Sequence, residues 1–196
     1  MLTCKPTRAS RRLETSRRLM RCALELCDEH GFDGWTLDDL AERAEVSRRT
    51  VFNYFDGKAA VVLGPEPDVS DAARDTFVAQ GPTGRLLSDI LVLADEVFAD
   101  HAPDPDTVAL HRRVIIQDPQ LVTLVHDRFE SVTERFVDYV QQREGTSYDA
   151  DRARLLIRLL MSVFDTAVDR LRTEPTRPFS ELFAEAVDDA RSVLTD

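Results

Sequence analysis

This chain has little with which to do covalent chemistry. Its 196 residues include three cysteines, four histidines and two lysines. Cys4, Cys22 and Cys27 lack zinc-ligand spacing, and Cys22 and Cys27, five apart on one helical stretch, are not placed to bond to each other. His30, His101, His111 and His126 make no ligand pattern. Missing too are the GxSxG elbow, the phosphate-binding loop, the dinucleotide GxGxxG and the metalloprotease HExxH. No enzyme, cofactor or metal site is therefore expected. No alternating strand pattern, repeat or low-complexity tract occurs, which leaves an all-α chain. Residues 1–10 contain no apolar run of the kind a signal peptide needs. With few cysteines and no membrane segment, the expected setting is the reduced cytoplasm.

Positive charge is scarce as well. The chain holds 25 Lys+Arg against 36 Asp+Glu, net −11. The deficit is uneven. Residues 1–21 carry seven basic side chains and one acidic, and residues 1–63 carry 11 and 10. The rest carries 14 basic and 26 acidic residues, net −12. An acidic body is repelled by nucleic acid, so any such contact is confined to the N-terminal end.

That end contains the most informative stretch, residues 36–58, TLDDLAERAEVSRRTVFNYFDGK. Thr36 precedes an apolar-periodic run with Asp39 three residues on, the spacing of a capping box with Asp in the Glu/Gln place. Leu37, Leu40, Ala41 and Ala44 recur at helical spacing. Ser47 is positioned to cap a second helix anchored by Val51, Phe52 and Phe55. Helix, tight turn and capped helix make the helix-turn-helix pattern. The second helix offers Arg48, Arg49, Thr50, Asn53 and Tyr54. Arginine pairs bidentately with guanine O6 and N7, and Thr, Asn and Tyr reach phosphates or base edges. Upstream, residues 11–30 align Leu19, Ala23, Leu26 and Cys27 on one face, and Gly31 is a C-cap. Three helices around one small core suffice to bury the apolar side of the pair.

Residues 19–62 resemble, without a gap, the DNA-binding domain of the TetR family of bacterial regulators. ALEL at 23–26, His30-Gly31-Phe32, Thr36 with LDDLAERA, VSRRTVFNYF at 46–55 and Lys58 carry the resemblance. It implies that Thr36, Ser47, Tyr54 and Lys58 bind phosphates and that Arg48, Arg49, Thr50 and Asn53 face base edges. Three departures stand out: Glu45 where the family has Gly in the turn, Cys27 for an aromatic, and Asp56-Gly57 for Pro-Ser. If position 45 keeps φ > 0, its side chain costs on the order of 1 kcal/mol. Residues 1–10 form a short basic arm, either a flexible tail or a minor-groove arm.

The remainder is helical in pattern. GPEP at 64–67 ends a fourth helix near Leu63, and GPTG at 81–84 is the next break. Between them Ser70 opens a short helix to residue 80, and another runs over 83–100. Asp104-Pro105 and Asp118-Pro119 each place Pro directly after an N-cap, opening helices over 105–117 and 119–143. Two more cover 148–172 and 179–194, the former apolar over most of its circumference. The resemblance implies a small-molecule effector between the central helices and a homodimer formed through those last two helices. Candidate effector contacts are Phe98, His111, His126, Phe129 and Phe164, though the histidines equally suit structural hydrogen bonds and the aromatics equally fill a core. Arg158, Ser162, Asp165 and Asp169 read as an ion-pair stripe rather than a pocket.

The combined expectation is an all-α homodimer. It comprises a flexible basic arm over 1–10, a three-helix helix-turn-helix head over 11–63, and a helical-bundle ligand-binding and dimerisation body over 70–196. It would repress by binding a palindromic operator and be released by an effector. Two alternatives stand beside this: a regulator without a small-molecule effector, and an all-α binding protein or enzyme that uses the head for docking.

Overall fold

The computed structural model describes residues 8–66, 69–99, 104–145 and 147–195; for residues 8–10, 98 and 99 it describes the backbone only. Among the described residues every regular element is an α-helix: α1 (Arg8–His30), α2 (Leu37–Arg43), α3 (Arg48–Phe52), α4 (Lys58–Leu63), α5 (Asp71–Val78), α6 (Leu86–Ala99), α7 (Pro105–Gln117), α8 (Pro119–Glu144), α9 (Ala150–Thr173) and α10 (Phe179–Thr195). The arm expected over 1–10 lies outside the described residues up to 7, and α1 already begins at Arg8. The chain divides into two compact units. One runs to Glu66 and takes in Ala109–His126; the other is the remainder.

The head unit closes around Leu19, Leu24, Trp35, Leu40, Val51, Phe55, Val61 and Val62, all buried. Val114 and Leu121 join the same core. Residues 109–126 therefore pack with the head rather than with the body to which the sequence pattern assigned them. Helical period shows that these residues have an apolar face, but not which core receives it. An ion pair reinforces the attachment: the Arg113 guanidinium donates to both Asp28 oxygens at 2.8 and 2.6 Å.

The body unit has two apolar clusters. Ala167, Val168 and Leu171 of α9 pack on Phe179, Leu182, Phe183, Ala186 and Val187 of α10. Phe164 meets Phe179 edge-on at 5.4 Å, and Phe179 stacks on Phe183. Phe77, Ile90, Leu93, Val137, Val140, Ala153 and Ile157 form the second cluster. Beside it lies a buried charge pair. Arg143 donates to Asp89 Oδ2 at 2.6 Å, to the Phe77 carbonyl at 2.6 Å and to Glu144 at 2.9 Å. Asp89 Oδ1 also accepts from the Thr83 amide at 2.8 Å and hydroxyl at 2.6 Å. Burial pushes the Asp89 pKa up, but the hydrogen bonds from Thr83 and Arg143 outweigh it and hold the carboxyl below its ordinary value. Thr83 is thus tied ahead of α6, which starts at Leu86 rather than at 83. Likewise α9 starts at Ala150, with the Asp149 side chain capping it.

Candidate nucleic-acid interface and body cavity

The helix-turn-helix is assembled by local hydrogen bonds. The Thr36 hydroxyl accepts from the Asp39 amide at 3.3 Å, and Asp39 accepts from the Thr36 amide at 2.7 Å, closing the capping box. These Thr36 bonds keep the Asp39 carboxyl below its ordinary pKa. Ser47 accepts from the Thr50 amide at 3.0 Å and caps α3. Each such cap contributes about 1 kcal/mol. Between the helices, Glu45 adopts φ 52. The Val46 amide reaches the Ala41 carbonyl at 2.9 Å and the Glu45 amide reaches Glu42 at 3.0 Å, the paired bonds of a Schellman turn. The left-handed position expected from the departure at 45 is present, occupied by a residue with a Cβ.

Ser47, Arg48, Arg49 and Asn53 are exposed, while Thr50, Tyr54 and Lys58 are half-buried. Arg49 of α3 and its C-cap Asn53, one turn apart, share a face. Neither side chain makes a hydrogen bond or ion pair among the described residues. Arg48 is engaged: it pairs with Asp38 of α2 at 2.8 Å, its guanidinium 5.6 Å from the Phe52 ring. Phe52, expected to anchor α3, is instead exposed, whereas Val51 and Phe55 are buried. One residue's step of about 100° carries Phe52 off the buried face.

Lys58 is held by aromatic rings. Its ammonium donates to the Trp35 carbonyl and lies 4.3 Å from the Trp35 ring centroid and 5.1 Å from that of Phe32. Partial burial pushes the lysine pKa below its usual value, against the pull of Cys27, Asp33 and Asp39. The Trp35 indole N–H donates to the Cys27 thiol at 3.2 Å, so the cysteine at this departure from the family pattern serves as an acceptor. Arg12 of α1 stacks over the Tyr54 ring at 5.7 Å. Sequence reading missed Phe32, Trp35, Asp38 and Arg12 as partners of the candidate contacts. The Arg48–Asp38 and Lys58–Trp35 pairs span 10 and 23 residues, which helical periodicity does not signal.

The body unit contains a cavity of about 150 Å³. Helices α6, α8, α9 and α10 line it, with Ala94, Val97, Val132, Phe136, Leu160 and Phe164 among the side chains. Every lining residue is apolar. Of the expected effector contacts, Phe164 lines this cavity. Phe129 is half-buried in the body but does not line it, and the Phe98 side chain lies outside those described. His111 and His126 belong to the head unit, His126 exposed. From the polar stripe, Arg158 pairs with Glu130 on the surface at 2.9 Å.

An all-helical chain with a capped helix-turn-helix in its N-terminal unit is, by class, a helix-turn-helix transcriptional regulator. Residues 19–64 match the family described as bacterial regulatory proteins, tetR family. Residues 19–64 thus carry a DNA-binding domain of the TetR type, and the relatives found over more of the chain are transcriptional regulators. Among its relatives, MftR of Mycobacterium tuberculosis, named for mycofactocin biosynthesis, is 29% identical over 141 residues, spanning 69% of this chain and 68% of that one. TcmR of Streptomyces glaucescens is 28% identical over 167 residues, spanning 81% and 74%. A solved TetR-family regulator from Mesorhizobium loti superposes with a TM-score of 0.51 at 18% identity, over 96% of this chain and 97% of that one, a likeness of fold. Among the described residues no helix is long and apolar enough to cross a membrane.

Proposed function

We propose that this regulator binds a palindromic operator as a cytoplasmic homodimer, represses transcription there, and is released by a small molecule held in its body. The observation that carries the DNA-reading part is the pair Arg49 and Asn53, exposed and unengaged one turn apart on the helix that Ser47 caps. In this reading Arg48, Arg49, Thr50 and Asn53 face base edges, and Thr36, Ser47, Tyr54 and Lys58 meet phosphates. Dimerisation through α9 and α10 is supported by Leu155 and Leu159, one turn apart on α9 and 57% and 41% exposed in the single chain. A second copy covers such a face symmetrically. The effector seat is the cavity that Phe164 lines. An effector that prefers a conformer with misplaced heads drives release by its differential affinity.

Two measurements test this. Sedimentation of the Leu155→Glu/Leu159→Glu variant should give a monomer where the parent chain gives a dimer; a monomeric parent would refute the assembly. A gel shift with genomic fragments should retain a palindromic fragment, and its release by a metabolite should follow. Retention that no metabolite reverses would favour the regulator without an effector.

A further inference from the structure

We infer that the body cavity takes a small, uncharged, apolar molecule of about the size of a single aromatic ring. The inference rests on the ligand-responsive reading above and adds the chemistry of the ligand. Its basis is the wall. Ile90, Ala94 and Val97 come from α6, Val132 and Phe136 from α8, four residues including Ile157 and Phe164 from α9, and Phe183 from α10. None carries a charge or a hydroxyl. The buried polar groups Arg143, Asp89 and Thr133 of this unit are engaged elsewhere. Arg143 is bound to Asp89 and the Phe77 carbonyl, and the buried Thr133 hydroxyl donates to the Phe129 carbonyl at 2.8 Å. A carboxylate or ammonium placed in the cavity would lose its water and gain no partner, which is strongly unfavourable.

Size sets the second limit. A cavity of about 150 Å³ walled by aliphatic and aromatic side chains stays dry and accepts benzene in an engineered protein of known behaviour. The volume here is similar, with one side of the pocket open to solvent. Apolar space that holds no protein atoms leaves the lining side chains without close dispersion partners on one side, and a hydrocarbon ring supplies them. Larger ligands must extend through the open side or displace the wall. The wall also offers directional selectivity, because Phe136, Phe164 and Phe183 present three rings to an aromatic guest.

Toluene and benzoate, which differ chiefly by charge, are the probes. Calorimetry and thermal melting of the full chain should detect toluene, with Tm raised by roughly 3 °C or more at ten times its Kd. Benzoate should bind at least about 100-fold more weakly. Ala94→Leu projects three further carbons into the cavity and should weaken toluene at least about tenfold, with circular dichroism confirming that the helices persist. Equal binding of toluene and benzoate would overturn the inference, as would undiminished toluene binding by the folded Ala94→Leu chain. The operator gel shift separates this inference from the reading beneath it. Toluene that binds but leaves the DNA complex intact supports the ligand class and removes the release mechanism. Release by a charged metabolite with no toluene binding overturns the ligand class and leaves the mechanism standing.

Discussion

The two units handle charge in opposite ways. In the head, Arg48 and Asp38 meet at 2.8 Å with side chains 59% and 64% exposed. In the body, Arg143 and Asp89 meet at 2.6 Å with side chains 1% and 0% exposed. The groups are chemically alike, but their surroundings differ. Water screens the head pair, which is weak enough to be exchanged for a phosphate or a base edge. The body pair has surrendered its hydration and survives because Thr83, Phe77 and Glu144 complete its hydrogen bonds. Charge in the head is therefore available for binding, whereas the buried pair in the body holds helices together.

The sharpest break of that contrast is to delete one acid from each pair. Asp89→Ala takes from a buried guanidinium its fully buried carboxylate, leaving it only the partly exposed Glu144, and should cost about 3 kcal/mol in denaturant unfolding. Asp38→Ala should change stability by no more than about 1 kcal/mol. Similar costs at the two sites would erase the distinction. The same contrast has a pH signature. The Asp89 carboxyl is held below its ordinary value, so its contribution is complete above about pH 4 and is lost as pH falls through the lower folded value. Acid melting curves should show this loss in the parent chain and not in Asp89→Asn.

Next in size is the test of the head's free charge. Arg49→Ala should weaken operator binding by about 1–3 kcal/mol and relax sequence preference in a gel shift, with little change in stability. Lys58→Ala separates two roles. Loss of a phosphate contact should flatten the salt dependence of binding by about one unit of slope. Loss of the bonds to Trp35 and Phe32 should lower stability by about 1 kcal/mol. A stability loss with an unchanged salt slope would make Lys58 a latch within the head and remove it from the DNA-contact set. The smallest effect runs the other way: Glu45→Gly relieves a left-handed residue and should stabilise the chain by about 1 kcal/mol, with operator affinity unchanged.

Legibility follows the same division. The head was readable because its structure is local: Thr36 caps through Asp39, Ser47 through Thr50, and the turn at 45 is one Schellman motif. Such bonds span a few residues and leave fixed spacings in the sequence. Helix starts after Asp104 and Asp118 were equally plain, as α7 and α8 begin at Pro105 and Pro119. The cavity left no such trace. Its walls come from residues between 90 and 183 on four helices, each showing an apolar face that fits an ordinary core equally well. Phe164 and Phe129 looked alike in sequence because both are aromatics on amphipathic helices, and only one reaches the cavity. The placement of 109–126 with the head was hidden for the same reason, since an apolar stripe does not name its partner.

Trp35 is the only tryptophan in the chain, and it sits in the head core with its indole N–H on a thiol and a lysine ammonium over its ring. The protein thus carries an intrinsic fluorophore confined to one unit, with two potential quenchers in place. Tryptophan emission reports on the surroundings of Trp35 in the head, and changes restricted to the body leave it unaltered. Fluorescence and circular dichroism recorded together can therefore time the two units separately without a label.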